Sequence, residues 1–187
     1  MTARPSAAGP GADIGLTLCT RYDTRTRGAP YRTGKPGTVP TVDEGLTLHV
    51  ATAADIRPDD LYRALCLRSQ VFVVEQACAY LDPDGRDLEP GTTHLWLSTA
   101  DGTVASYVRL LTEPGGGHRI GRVVTDPAHR GRRLAAWLVD HALTIVRRPV
   151  VLDAQSHLVE VYGRHGFTPS GDEFVEDGIP HTPMRLD

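Results

Sequence analysis

The order of apolar patterns along the chain predicts an α/β fold of the α+β kind. Three observations carry this. Residues 93–99 and 104–111 alternate like a hairpin across Asp101-Gly102, a good tight-turn pair. The strand-like residues 120–125 run into a glycine turn, Arg130-Gly131-Arg132-Arg133, that opens an amphipathic helix. A short apolar strand, Val150-Val151-Leu152, then leads to a second helix that ends near Gly166.

Taken in order, Leu46-Thr47-Leu48-His49-Val50 alternates as a strand. Pro58, Asp59 and Asp60 make a favourable first helical turn. On that helix Leu61, Ala64, Leu65, Arg68, Phe72 and Glu75 fall on or near one face, so a cation and a carboxylate interrupt an apolar stripe. Buried charges are costly unless paired. Either Arg68 and Glu75 pair with each other, or Glu75 faces a substrate and takes a proton. The acidic loop Asp82-Pro83-Asp84-Gly85-Arg86-Asp87 reads as a solvated turn, with an acidic rim as the second reading; Pro83 and the early glycine break calcium-loop spacing, and no metal is expected.

Residues 113–117 are a loop before the third strand of this half. Leu134, Trp137, Leu138, His141, Ala142 and Ile145 recur at helical spacing, which places one apolar stripe on a core. The opening of that helix combines unpaired backbone N–H groups, a positive dipole end and arginines, a combination suited to a diphosphate. Leu158, Val161, Tyr162 and His165 line one face of the next helix, and Gly166 suits a left-handed C-cap. Residues 167–174 and 182–186 finish the sheet.

A chain of 187 residues with 40% apolar and 23% charged content can bury the core of a single domain. The net charge of −3 argues against nucleic acid or an anionic membrane as main partner. No apolar run is long enough to span a bilayer and no secretory h-region is seen, so the cytoplasm is the expected compartment. Cys19, Cys66 and Cys78 are odd in number and widely spaced, which fits reduced thiols. Residues 1–45 are rich in Gly, Pro, Thr and Arg and read as an extended arm with one short strand near 14–19; the domain proper spans 46–187. The arm has two placements, on its own domain or on the second subunit of a homodimer.

These residues resemble the GCN5-related N-acetyltransferase (GNAT) superfamily, whose phosphate signature reads Arg/Gln-x-x-Gly-x-Gly/Ala. Arg130 fills the first position and Ala135 the last, while Arg133 stands where the signature has its middle glycine. The run from Val159 through Tyr162 to Gly166-Phe167 looks like the family's tyrosine helix, and Leu67 to Gln76, Ala154 to Leu158 and Glu176 to His181 look like the small ElaA-like bacterial branch.

The resemblance implies a central mixed, mostly antiparallel twisted sheet that splays at an acetyl-CoA site. It places Val123, Val124 and Thr125 against pantetheine and the acetyl group, and Arg130, Gly131, Arg132, Arg133, Leu134, Ala135 and Ala136 at the diphosphate. Tyr162 matches the general-acid position, and a backbone N–H near Val124 is the expected oxyanion donor. Glu75, His94, His157 and His181 are the candidates for general base. Arg68, Phe72, Glu75, Gln155 and His181 are the expected substrate contacts. The implied reaction is acyl transfer from acetyl-CoA to the amine of a small molecule by direct attack. Two alternatives stay open: a donor on an acyl carrier protein, as the Arg68-to-Phe72 likeness to autoinducer synthases suggests, and a non-catalytic acyl-CoA-binding or partner-binding module.

Overall fold

The computed structural model describes residues 45–187. The expected arm, with its strand near 14–19, lies outside the described residues. The sheet has eight strands: β1 (Leu46–Thr52), β2 (Thr93–Thr99), β3 (Val104–Thr112), β4 (His118–Thr125), β5 (Val150–Gln155), β6 (Thr168–Pro169), β7 (Phe174–Glu176) and β8 (Ile179–Leu186). Their order is β1-β2-β3-β4-β5-β8-β6, with β7 paired to β8. All neighbours run antiparallel except β4 and β5, which are parallel.

Side-chain alternation sorts the core onto two faces. From β2, Leu95 and Leu97 join a cluster with Leu134, Leu138, Val139 and Ala142 of α2 (Leu134–Ile145). Trp96 points the other way, to a cluster with Ala64 and Leu67 of α1 (Pro58–Arg68) and Val71 beyond it. Of the stripe expected for α2, Leu134, Leu138 and Ala142 are buried and Trp137 and His141 half-buried, whereas Ile145 is exposed and Val139, outside the stripe, is buried.

Two elements differ from expectation. The first helix does not continue as one α-helix to Glu75: Ser69–Glu75 is a π-helical segment, closed by the Gln76 N–H donating to the Val71 carbonyl at 3.0 Å. Each i→i+5 turn carries an extra residue, so positions in phase at Leu61 and Arg68 are out of phase by Glu75. The strand expected over 167–174 reduces to Thr168–Pro169, with β7 starting only at Phe174.

The tyrosine helix is short, a 3-10 turn (Ser156–Leu158) followed by α3 (Val159–Gly163). Gly166 takes φ +89° and closes its end, with the Phe167 N–H donating to the Tyr162 carbonyl at 3.3 Å.

Candidate active site

β4 and β5 are in register only at His118↔Val150 and Arg119↔Val151. Beyond these the strands part, and a cleft of about 890 Å³ opens between them, walled by Gly121 to Thr125 on one side and by Leu152, Asp153 and Gln155 on the other. On the β3 side the register passes from Tyr107↔Val124 to Arg109↔Gly121, so Arg122 and Val123 both face Val108. This is a β-bulge, and Arg122 takes φ +53° within it. The bulge takes two residues of the cleft wall out of step with the β3 ladder. Ser106 steadies the wall just after it, donating its hydroxyl to the Val124 carbonyl at 2.8 Å.

Behind the cleft lies a closed ring of ion pairs. Arg68 meets Asp82 at 2.9 Å and Asp87 at 2.6 Å. Arg109 meets Asp87 at 3.0 Å and Asp84 at 2.6 Å. Arg122 meets Asp84 at 3.2 Å and Asp82 at 2.9 Å. Each arginine thus bridges two aspartates and each aspartate two arginines, which satisfies the pairing that buried charge demands. Burial alone would lower the basicity of Arg68, but the Asp87 hydrogen bond, Tyr107 and the aspartate charges outweigh it and hold the pKa above its ordinary value. Burial raises Asp84 and Asp87, yet the hydrogen bonds from Arg109 and Arg68 win and keep both carboxyls below the ordinary range. Asp82 and Asp87 are 1% and 6% exposed, which overturns the reading of this loop as a solvated turn.

The ring also settles Arg68. Its side chain is fully buried against Asp82 and Asp87, so it does not pair with Glu75 and does not reach the cleft wall. The π-helical offset is the reason.

His94 is likewise held away from the cleft. Its Nε2 stands 2.9 Å from the Asp87 carbonyl, which can only accept, so Nε2 carries the proton. Nδ1 then accepts from the Tyr107 hydroxyl at 2.7 Å. Burial holds its pKa below the ordinary value, as the neutral form of this relay requires. With both nitrogens engaged, His94 is a structural histidine and not a base for a substrate. His157 is exposed on the 3-10 turn and lies outside the cleft wall, although its neighbours Gln155 and Leu158 line it.

His181 behaves differently. It lines the cleft, and its Nδ1 donates to the Ile179 carbonyl at 2.9 Å. In the neutral ring Nε2 is therefore an acceptor, and it has no partner among the described residues. Phe174 stacks on the ring at 5.8 Å between centroids. Tyr162 also lines the cleft, edge-on to Phe167 at 6.2 Å. Burial pushes its pKa up to about 12, so the phenol keeps its proton at neutral pH.

At the end of β4 comes the turn before α2. Gly131 and Arg133 both take positive φ, +79° and +59°. The middle position of the signature is thus a left-handed backbone position, where glycine is unstrained and arginine costs roughly 1–2 kcal/mol. Among the described residues no side chain caps α2, and its first turn carries no acid. Its opening N–H groups stay available to an anion, beside Arg130, Arg132 and Arg133. Glu75 reaches this turn: its carboxylate accepts from Arg130 Nη1 at 2.7 Å and Nη2 at 2.8 Å. It stands at the rim and not in the cleft wall.

Of the expected substrate contacts, Phe72, Gln155 and His181 line the cleft with Val123, Val124 and Thr125. Arg109, Arg122 and Tyr80 also line it and were not anticipated. One signal was available: Arg109 is a lone charge inside an otherwise apolar strand, which in a buried sheet demands a carboxylate from elsewhere in the chain.

A splayed parallel strand pair, a bulge beside it and an uncapped helix at its end define an acyl-CoA-dependent acyltransferase fold. Residues 58–187 match the acetyltransferase (GNAT) domain family, and the chain belongs to the GNAT superfamily as an ElaA-like N-acetyltransferase. It is 48% identical over 136 residues to UPF0039 protein Rv2851c of Mycobacterium tuberculosis, covering 71% of this chain and 87% of that one. Protein ElaA of Escherichia coli is 36% identical over 138 residues, covering 70% and 90%. Among solved structures, an acyl-CoA N-acyltransferase from Pseudomonas aeruginosa superposes with a TM-score of 0.70 at 39% identity, covering 76% of this chain and 99% of that one. The crystal structure of Escherichia coli ElaA gives 0.71 at 33%, with the same coverage. No helix among the described residues is long and apolar enough to cross a membrane.

Proposed function

We propose that this protein transfers the acetyl group of acetyl-CoA to the amine of a small molecule by direct attack within a ternary complex. The observation that carries the reading is that Tyr162 and His181 both line the cleft between β4 and β5. Acyl transfer to an amine needs a neutral nucleophile, a stabilised oxyanion and a proton for the departing thiolate. His181 Nε2 takes the proton of the incoming ammonium, directly or through water. A backbone N–H near Val124 donates to the oxyanion. Tyr162 gives its phenolic proton to the sulfur.

Acetyl-CoA supplies the activated thioester. Val123, Val124 and Thr125 face its pantetheine arm, and the turn from Arg130 to Ala136 takes its diphosphate. Glu75, His94 and His157 leave the list of bases, since the first and third lie outside the cleft wall and the second is committed to its relay. Phe72 and Gln155 remain as acceptor contacts, and Arg68 supports them from behind through the ion-pair ring. The domain boundary near residue 46 and a cytoplasmic setting belong to the same reading.

The test is a free-thiol assay with acetyl-CoA against amines, amino acids and peptides, beside a thermal melt with acetyl-CoA or desulfo-CoA. A ligand held by the folded state alone at about 10³ times its Kd stabilises by about 4 kcal/mol, a clear rise in Tm. Turnover of one amine class is expected. No shift with either compound would remove acetyl-CoA from the proposal.

A further inference from the structure

The pair of Glu75 and Arg130 joins two elements that the reaction treats as separate. Glu75 ends the π-helical segment, on the acceptor side of the cleft, and Arg130 begins the turn that leads into α2. The contact is bidentate, the fork of the guanidinium meeting both carboxylate oxygens. The same guanidinium is anchored at its base, Nε donating to the Thr125 carbonyl at 3.4 Å at the end of the cleft wall. The next residue, Gln76, reaches the opposite wall, where its Oε1 accepts from Gln155 Nε2 at 3.4 Å. The end of the π-helical segment is therefore tied to β5 through Gln155 and, by way of Arg130, to the end of β4. Three of the five guanidinium N–H groups of Arg130 are thereby engaged, and its charge already faces a carboxylate.

Resting on the acetyl-CoA reading above, we propose that Glu75 is a donor-selective latch: it occupies Arg130 as an internal counter-ion, and only a donor that brings a diphosphate takes Arg130 from it. The chemistry of the two anions makes the exchange reasonable. A carboxylate offers one charge, whereas the diphosphate brings more charge and more acceptor oxygens, and the uncapped N–H groups of α2 hold it in place beside Arg130. A pantetheine thioester without phosphate leaves the latch shut. The latch thus weakens every donor's access to Arg130 but is overcome by CoA alone, and its opening releases the end of the π-helical segment from the rim. Glu75 is in this account a positioning residue that acts through Arg130 and not on the acetyl group.

Calorimetric titration of the full chain with CoA and with pantetheine tests the latch. Glu75 and Arg130 are both exposed, at 41% and 45% for the side chains, so Glu75→Gln, Arg130→Gln and the double variant are expected to fold, which a melt checks. In Glu75→Gln, CoA binds about two- to fivefold tighter, the range of an exposed ion pair, and pantetheine binds as before. The double variant binds CoA like Arg130→Gln alone. The gap between wild type and Glu75→Gln closes as salt rises from about 0.01 M to about 1 M, where the screening length falls to about 3 Å.

CoA binding that is unchanged or weaker in Glu75→Gln overturns the latch, and so does equal tightening for pantetheine. Additive effects in the double variant overturn it as well, since the two residues would then act independently. Failure of the wild type to bind CoA at all is a different result, and it overturns the acetyl-CoA reading and the latch together.

Discussion

Arg68 Nη1 and Asp87 Oδ1 stand 2.6 Å apart with side chains 0% and 9% exposed. The pair ties the end of α1 to a loop that begins fourteen residues later at Asp82 and turns back behind the cleft. The same Asp87 carboxylate receives Arg109 from β3, so one oxygen fixes helix, loop and sheet together.

Asp87→Asn is expected to destabilise the fold by about 3–5 kcal/mol, because it leaves two buried guanidinium groups short of one negative charge. At about 2–4 °C of Tm per kcal/mol for a chain of this size, the change is readily seen in a thermal melt. A shift of less than one degree would show that Asp82 and Asp84 carry the ring unaided.

Acid should unfold the protein in two stages. His94 is held below its ordinary pKa of 6.5, so the unfolded chain binds its proton first and stability falls as pH drops below about that value. Asp84 and Asp87 are held below 3.8, so their contribution is complete above that value and is lost as pH falls further through their folded values. A series of melts from neutral to acid pH checks both stages. His94→Asn should reduce the slope of the first stage without abolishing it, since burial also lowers the pKa of His49 and His141.

Tyr162→Phe should lower kcat by about 10²-fold or more with acetyl-CoA affinity nearly unchanged, because the ring still packs and only the proton donor is lost. The loss should shrink with an acyl thioester of a more acidic thiol, whose anion leaves without help. Full activity on the amine would send the search for the acid to water.

His181→Gln should lower kcat/KM by about 10²–10⁴-fold, because the glutamine cannot take a proton. The hydrogen bond to the Ile179 carbonyl can be kept by the amide, so stability should change little. An unaltered kcat/KM would mean that the amine loses its proton before it enters the cleft.

The secondary structure around the cleft was legible because its signals are local. The stripe from Leu134 to Ala142, the Asp101-Gly102 turn and Gly166 at the end of the tyrosine helix each act through neighbours within a few residues. The resemblance to a known superfamily pointed to Tyr162, Phe72, Gln155 and residues 123–125, and all of them line the cleft.

Partner choice was not local. Arg68 was set beside Glu75 on an α-helical wheel, yet the π-helical turn shifts the phase, and Glu75 finds Arg130 across 55 residues. Asp82, Asp84 and Asp87 read as a solvated loop because nothing near them in sequence requires burial, and the arginines that do require it come from α1, β3 and the bulge of β4. By itself the sequence determined the order of the main elements around the cleft and the glycine turn before α2, and its family likeness pointed to residues that line the splayed strands. Only the tertiary structure decided which carboxylate met which guanidinium and which histidine kept a free nitrogen, because burial makes an unpaired charge so costly that it is the assembled fold, and not the neighbouring residues, that selects the partner.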